Sequence, residues 1–197
     1  MATTGQRGRP RSFDRDAALE RATTVFWEQG YETTSIADLT RAMGIGAPSL
    51  YAAFGDKRTL FLEVVAAYAT EYGGYAVRAL AEEPTARAGL GRMLREAAAE
   101  FTAPDRPRGC LMISAAANCS TPGVAEELRE RRETNIAGFA RLIRADVAAG
   151  RLPAGTDAGA LARFCGAVLQ GMSQQARDGA GREELEAVAA TAMLAWP

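Results

Sequence analysis

Histidine is absent from this 197-residue chain, lysine occurs once, at Lys57, and cysteine three times. Without histidine the sequence lacks both the commonest general base at neutral pH and the commonest metal ligand. Cys110, Cys119 and Cys165 are widely spaced with no CxxC pair, which fits neither a zinc site nor a disulfide framework. No metal and no cofactor are expected. No apolar run approaches the roughly 18 residues of a membrane span. The first residues, MATTGQRGRPRSF, are polar and basic, unlike a signal peptide. The expectation is a cytoplasmic protein without a membrane partner. Strand signals are nearly missing, because no long run alternates β-branched or aromatic with polar residues.

What is present is helical periodicity and a workable core: 48% of residues are hydrophobic and 24% charged. The net charge of −1 points to no partner, but residues 1–12 carry Arg7, Arg9 and Arg11 and no acid. The periodicity predicts an all-α protein of about nine helices. A first helix runs from about Asp14 to Gln29, with Asp14 as N-cap and Gly30 closing it. A short second helix begins after Ser35, with Asp38 completing a capping box. A third spans about Ala47 to Phe54, with Pro48 in its first turn. A long fourth follows Asp56 and carries the stripe Leu60, Phe61, Val64, Val65, Tyr68, Tyr72, Tyr75 and Ala79, with Gly73-Gly74 as a candidate kink. Further helices are predicted over about 85–102, 110–119, 122–149, 157–178 and 181–196. The last two carry narrow apolar seams: Leu161, Phe164, Cys165, Val168, Leu169 and Met172, then Leu185, Val188, Ala189, Ala192, Met193 and Trp196.

Two short helices joined by Gly44-Ile45-Gly46 have the layout of a helix-turn-helix, whose second helix enters the major groove of DNA. A plain αα-corner has the same layout. The stretch GYETTSIADLTRAMGIGAPSLYAAFGDKRTLF, with the preceding AALERATTVFWEQ, resembles the DNA-binding domain of the TetR family of transcriptional repressors. The likeness covers about residues 13–62. It rests on the Gly30 to Leu39 run, the turn from Ala42 to Ile45, and the Leu50-Tyr51, Phe54, Lys57, Leu60 spacing. The resemblance implies a flexible basic arm over 1–12, a three-helix DNA-binding head over 13–58, and a helical ligand-binding and dimerisation domain over 59–197.

Within that frame the residues suggest roles. Lys57 at a helix N-terminus, the Tyr51 hydroxyl, and Thr34 and Ser35 at the start of the second helix suit phosphate contacts. Base reading falls to Ala47, Pro48, Ser49 and Ala52, with Ala53 a further candidate; at the last two positions the family often carries larger polar or aromatic residues. Arg9 and Arg11 either reach DNA as a basic arm or belong to a solvated tail. Tyr68, Tyr72, Tyr75, Phe101, Met112, Phe139, Phe164 and Met172 line a ligand pocket or pack as ordinary core. Asn118 is a ligand contact or a helix cap. Leu161, Cys165, Val168, Leu169, Leu185, Val188, Ala192, Met193 and Trp196 are expected to pair with their copies in a homodimer. The expected function is a DNA-binding repressor released from a near-palindromic operator by a small-molecule inducer. A thiol- or electrophile-sensing regulator acting through Cys110 is the alternative of the same fold. With no histidine, no acid pair at functional spacing and no Gly-rich phosphate loop, an enzyme is not expected. A helical adaptor that no longer binds DNA is a third reading.

Overall fold

The computed structural model describes residues 13–116 and 119–197. Arg7, Arg9, Arg11 and Asn118 lie outside the described residues. Among those described, the secondary structure is helical: α1 (Arg15–Gln29), α2 (Ile36–Met43), α3 (Ala47–Phe54), α4 (Lys57–Glu71), α5 (Gly74–Glu82), α6 (Ala86–Phe101), α7 (Leu111–Ser114), α8 (Pro122–Ala148), α9 (Ala158–Arg177) and α10 (Arg182–Ala192), followed by a 3₁₀ turn over Met193–Ala195.

The expected caps form. The Asp14 carboxylate accepts from the Asp16 and Ala17 amides, and Asp56 from Thr59. Ser35 and Asp38 cap each other's end of α2 reciprocally. The long fourth helix does not persist. It stops at Glu71, and α5 starts afresh at Gly74, which makes ten α-helices among the described residues instead of about nine. The break is built on Gly73, whose amide reaches back to the Tyr68 carbonyl at 3.2 Å. A Cβ there would lie 2.6 Å from the Ala69 carbonyl oxygen. The helix predicted over 110–119 shortens to Leu111–Ser114.

Two apolar clusters organise the chain. One joins α1 to α4 and adds Leu111, Ala115, Val124 and Leu128 from the other half of the molecule. Phe26, Tyr31 and Phe61 pack there edge-on or stacked, with ring centroids 5.0–6.2 Å apart. The other unites α5, α6, α8, α9 and α10 around Leu90, Met93, Ile143, Met172 and Leu185. Helix α4 therefore packs with the first three helices and also leads into the second half.

One buried carboxylate ties two helices of the body together. Asp146 is 4% exposed. Its carboxylate accepts from the Ala86 amide at 2.7 Å and pairs with Arg151 at 2.7 Å, so α8 holds the N-terminus of α6.

Candidate nucleic-acid interface and ligand cavity

The head is assembled around α3. Gly44 sits at φ +69°, left-handed backbone that glycine adopts without strain, and it ends α2. Arg21 on α1 donates to the Met43 carbonyl at 3.2 Å, satisfying an acceptor the helix leaves over. Leu50 and Phe54 are buried. The Arg15 guanidinium lies 4.4 Å over the Phe54 ring and pairs with Glu63 at 2.7 Å, so α3 is clamped from α1 and α4. The opposite face of α3 presents Pro48, Ser49, Tyr51 and Ala52 to solvent, with Ala47 half-buried. Ala53 turns toward the head, and its carbonyl accepts from Arg15 at 3.3 Å.

The head is joined to the body at a polar seam. Glu32, in the loop after α1, accepts from the Ser120 and Thr121 amides at 2.7 Å each and from the Ser120 hydroxyl at 3.2 Å. These groups begin α8, whose N-cap Thr121 supplies no side-chain cap of its own. Glu32 therefore caps the longest helix of the body from the head, and those donors, Thr121 first, hold its carboxyl down to about 2. Arg177 on α9 donates to the Trp27 and Glu28 carbonyls at 3.2 Å, capping α1 in turn. Lys57 stands at the same seam. Its ammonium lies 3.5 Å from the Glu32 carbonyl oxygen and 4.3 Å over the Tyr31 ring.

Behind the seam is a cavity of about 230 Å³. Tyr68 on α4, Tyr72 just past its end and Tyr75 on α5 form one wall, and the Trp27 ring stacks edge-on behind the first two at 4.9 and 5.2 Å. Phe101, Met112, Ile136 and Phe139 close the apolar sides. Arg132 and Asn135 of α8 and Gln170 of α9 supply polar groups. Burial raises the Tyr68 and Tyr75 hydroxyls, so both are neutral donors. Cys110 also lines the cavity, its thiol beside the Tyr68 hydroxyl and pushed up by burial. A protonated thiol is a poor nucleophile, so this geometry gives thiol sensing no support.

Comparison with known proteins covers both halves of the chain. The family model for bacterial regulatory proteins of the tetR family matches residues 18–64, and that for the tetracyclin repressor-like C-terminal domain matches residues 86–192. The chain belongs to the TetR family. The HTH-type transcriptional repressor ComR of Escherichia coli (strain K12) is 38% identical to it, over 97% of this chain and 92% of ComR. The HTH-type transcriptional repressor BdcR of the same strain is 32% identical, over 94% and 90%. A cysteine mutant of the TetR family regulator CifR, complexed with 26-bp double-strand operator DNA, is 46% identical at a TM-score of 0.90, over 96% of this chain and 100% of that one. Family membership makes the chain a helix-turn-helix transcriptional regulator and removes the enzyme and adaptor readings.

Several expected sites of this TetR-family chain are corrected by its structure. Thr34 is 1% exposed and its hydroxyl donates to the Gly30 carbonyl at 2.6 Å, so it holds the loop together and has no face for a phosphate. Ser35 is exposed, but its hydroxyl is engaged in the capping box. The α4 N-terminus is already capped by Asp56, which leaves the side-chain charges of Lys57 and the exposed Arg58 as the positive groups there. Of the pocket residues, Tyr68, Tyr72, Tyr75, Phe101, Met112 and Phe139 line the cavity. Phe164 does not: it is 39% exposed on the outer face of α9. Met172 is fully buried core away from the cavity wall.

The seams expected to meet a second copy point inward. Cys165, Leu185, Ala192 and Trp196 are buried within the subunit. Leu161, Val168, Val188 and Met193 are half-buried against the same core, and Leu169 faces the cavity. The more apolar stripe of each helix goes to the core of its own chain, where it removes most area from water. The outer faces are the smaller-residue stripes Ala160, Phe164, Ala167 and Gly171 on α9, and Ala187, Ala190 and Leu194 at the α10 end, with Leu194 82% exposed. Their spacing of four and three matches that of packed helix pairs. Composition hid them, because alanine and glycine carry little hydrophobic signal. Arg132 was also missed. Its signal is its place, four residues after Leu128 and four before Ile136, inside the apolar stripe of α8.

Proposed function

We propose that this protein is a dimeric, cytoplasmic repressor that binds a near-palindromic operator and is released by a small molecule in the cavity. The observation that carries the proposal is the exposed face of α3, Pro48, Ser49, Tyr51 and Ala52 with Ala47 half-buried at its edge, on a head fastened through α4 to the cavity wall. In the division proposed here, the head of 13–58 binds DNA and the remainder binds ligand and dimerises, with α4 shared. Ser49 and the methyl groups of Ala47 and Ala52 read base edges, and Tyr51 and Lys57 contact phosphates. A second copy packs on the outer faces of α9 and α10, so that two recognition helices stand about one helical turn apart, roughly 34 Å. Ligand in the cavity touches Tyr68, on the helix that carries Lys57 at its other end, and Tyr72, which caps that helix. Binding that favours one arrangement of α4 shifts the population of head spacings and lowers operator affinity by the difference.

The reading is tested by selecting binders from a random duplex library and titrating the protein on the selected duplex and on a scrambled one at moderate salt. A preference of roughly a thousandfold or more is expected for a specific regulator. Equal affinity for both duplexes rejects it.

A further inference from the structure

Arg132 is the one charged side chain on the wall of the cavity among the described residues, and no carboxylate lines it. Its neighbours on α8 are paired: Arg129 with Glu126 at 3.4 Å and Arg131 with Glu127 at 2.7 Å. The adjacent Glu133 is taken by Arg163 of α9 at 3.1 Å. On α6, Glu96 is bound by Arg92 and Glu100 by Arg106, at 2.6 and 3.2 Å. Arg132 has no ion pair among the described residues, and one of its terminal nitrogens is cut off from solvent without a hydrogen-bond acceptor. A guanidinium does not escape this cost by losing its proton. A buried, unmatched donor of this kind is expensive in a resting protein, and a leucine or methionine at this point of the stripe would avoid the cost.

The other walls say what accompanies the charge. Leu80, Met93, Ile136 and Phe139 are apolar, and Tyr72 and Phe101 are aromatic. At about 230 Å³ the space is smaller than the roughly 300–1,000 Å³ of drug-sized pockets. We infer that the cavity binds a small apolar carboxylate, about one ring in size, whose negative charge is matched by Arg132. The Tyr68 and Tyr75 hydroxyls are neutral donors on the same wall. This inference rests on the cavity being the ligand site and specifies its chemistry.

The test is calorimetric titration of the full-length protein with benzoate, 4-chlorobenzoate and phenylacetate, each against its carboxamide of the same shape. The wild type is expected to bind the carboxylates roughly tenfold or more tighter than the amides, the scale of a charge-assisted hydrogen bond. Arg132→Met removes that preference, leaves amide affinity within about threefold, and raises the melting temperature without ligand, because it deletes a buried N–H donor that has no acceptor. Arg132→Lys keeps part of the preference. The wild-type comparison of acid with amide stands alone if the variants fail to fold. Amides binding as tightly as acids, no binding by any acid, or a preference that survives Arg132→Met each overturn the inference. Operator titration beside it separates the two proposals. Acids that bind without changing operator affinity overturn the inducer role and leave this assignment standing. Neutral molecules that bind and release the operator overturn this assignment and leave the inducer role standing.

Discussion

In the proposed complex Lys57 contacts a phosphate, so Lys57→Ala removes one such contact per subunit, hence two from a dimer on its operator. Each phosphate contact contributes about 0.9 to the slope of log affinity against log salt. Losing two lowers that slope by roughly 1.8. Between about 50 and 200 mM salt, the gap between wild type and variant therefore shrinks roughly twelvefold, and the loss is the same on operator and random duplex because phosphates carry no sequence. The assay is fluorescence anisotropy of both duplexes across a salt series. Lys57 also lies over the Tyr31 ring and near the Glu32 carbonyl, so part of any loss reflects a loosened seam. Lys57→Arg separates the two effects, since it keeps the charge and restores the slope. An unchanged slope for Lys57→Ala, with the fold intact, refutes the phosphate role.

Glu32 has its carboxyl held at about 2, below the ordinary 4.5, by donors that exist only in the folded chain. Its contribution to holding head on body is complete above pH 4.5 and is lost as pH falls toward 2. Glu32→Gln flattens the decline of melting temperature over that window, and an unchanged profile contradicts the cap. Asp146→Ala leaves the buried Ala86 amide without an acceptor and Arg151, itself partly exposed, without its partner. It destabilises the fold by about 2–3 kcal/mol in urea unfolding, and a loss under ~0.5 kcal/mol is inconsistent with that account. Phe164→Glu combined with Leu194→Glu places like charges on the outer faces of α9 and α10 and yields monomers in sedimentation velocity where the wild type gives dimers. A dimer that persists moves the interface elsewhere.

The head was legible because its signals are local. Capping residues at Asp14, Ser35 and Asp56, glycine at 44 and the Leu50 to Phe54 spacing each dictate geometry within a turn or two. The body was legible as helices but less so as surfaces. Periodicity located the stripes on α9 and α10, yet which stripe faces inward depends on α6 and α8, far away in sequence. The break after Glu71 turns on Gly73 lying against the Ala69 carbonyl, a contact the Gly73-Gly74 pair announced only as a kink. Thr34 reads as a surface hydroxyl beside a helix start. Its burial comes from the loop folding back on Gly30. Arg132 and Glu32 gain meaning only from partners in space, the cavity for one and the start of α8 for the other.

Hydroxyl-radical footprinting of the selected operator, with the protein-to-DNA ratio measured on the same complex, tests the central claim most directly. Two subunits are predicted on each duplex, protecting two patches on one face of the helix, centred about 34 Å apart and related by the near-palindrome. A single protected patch, or uniform protection without a centre of symmetry, contradicts a dimer reading DNA through paired α3 helices.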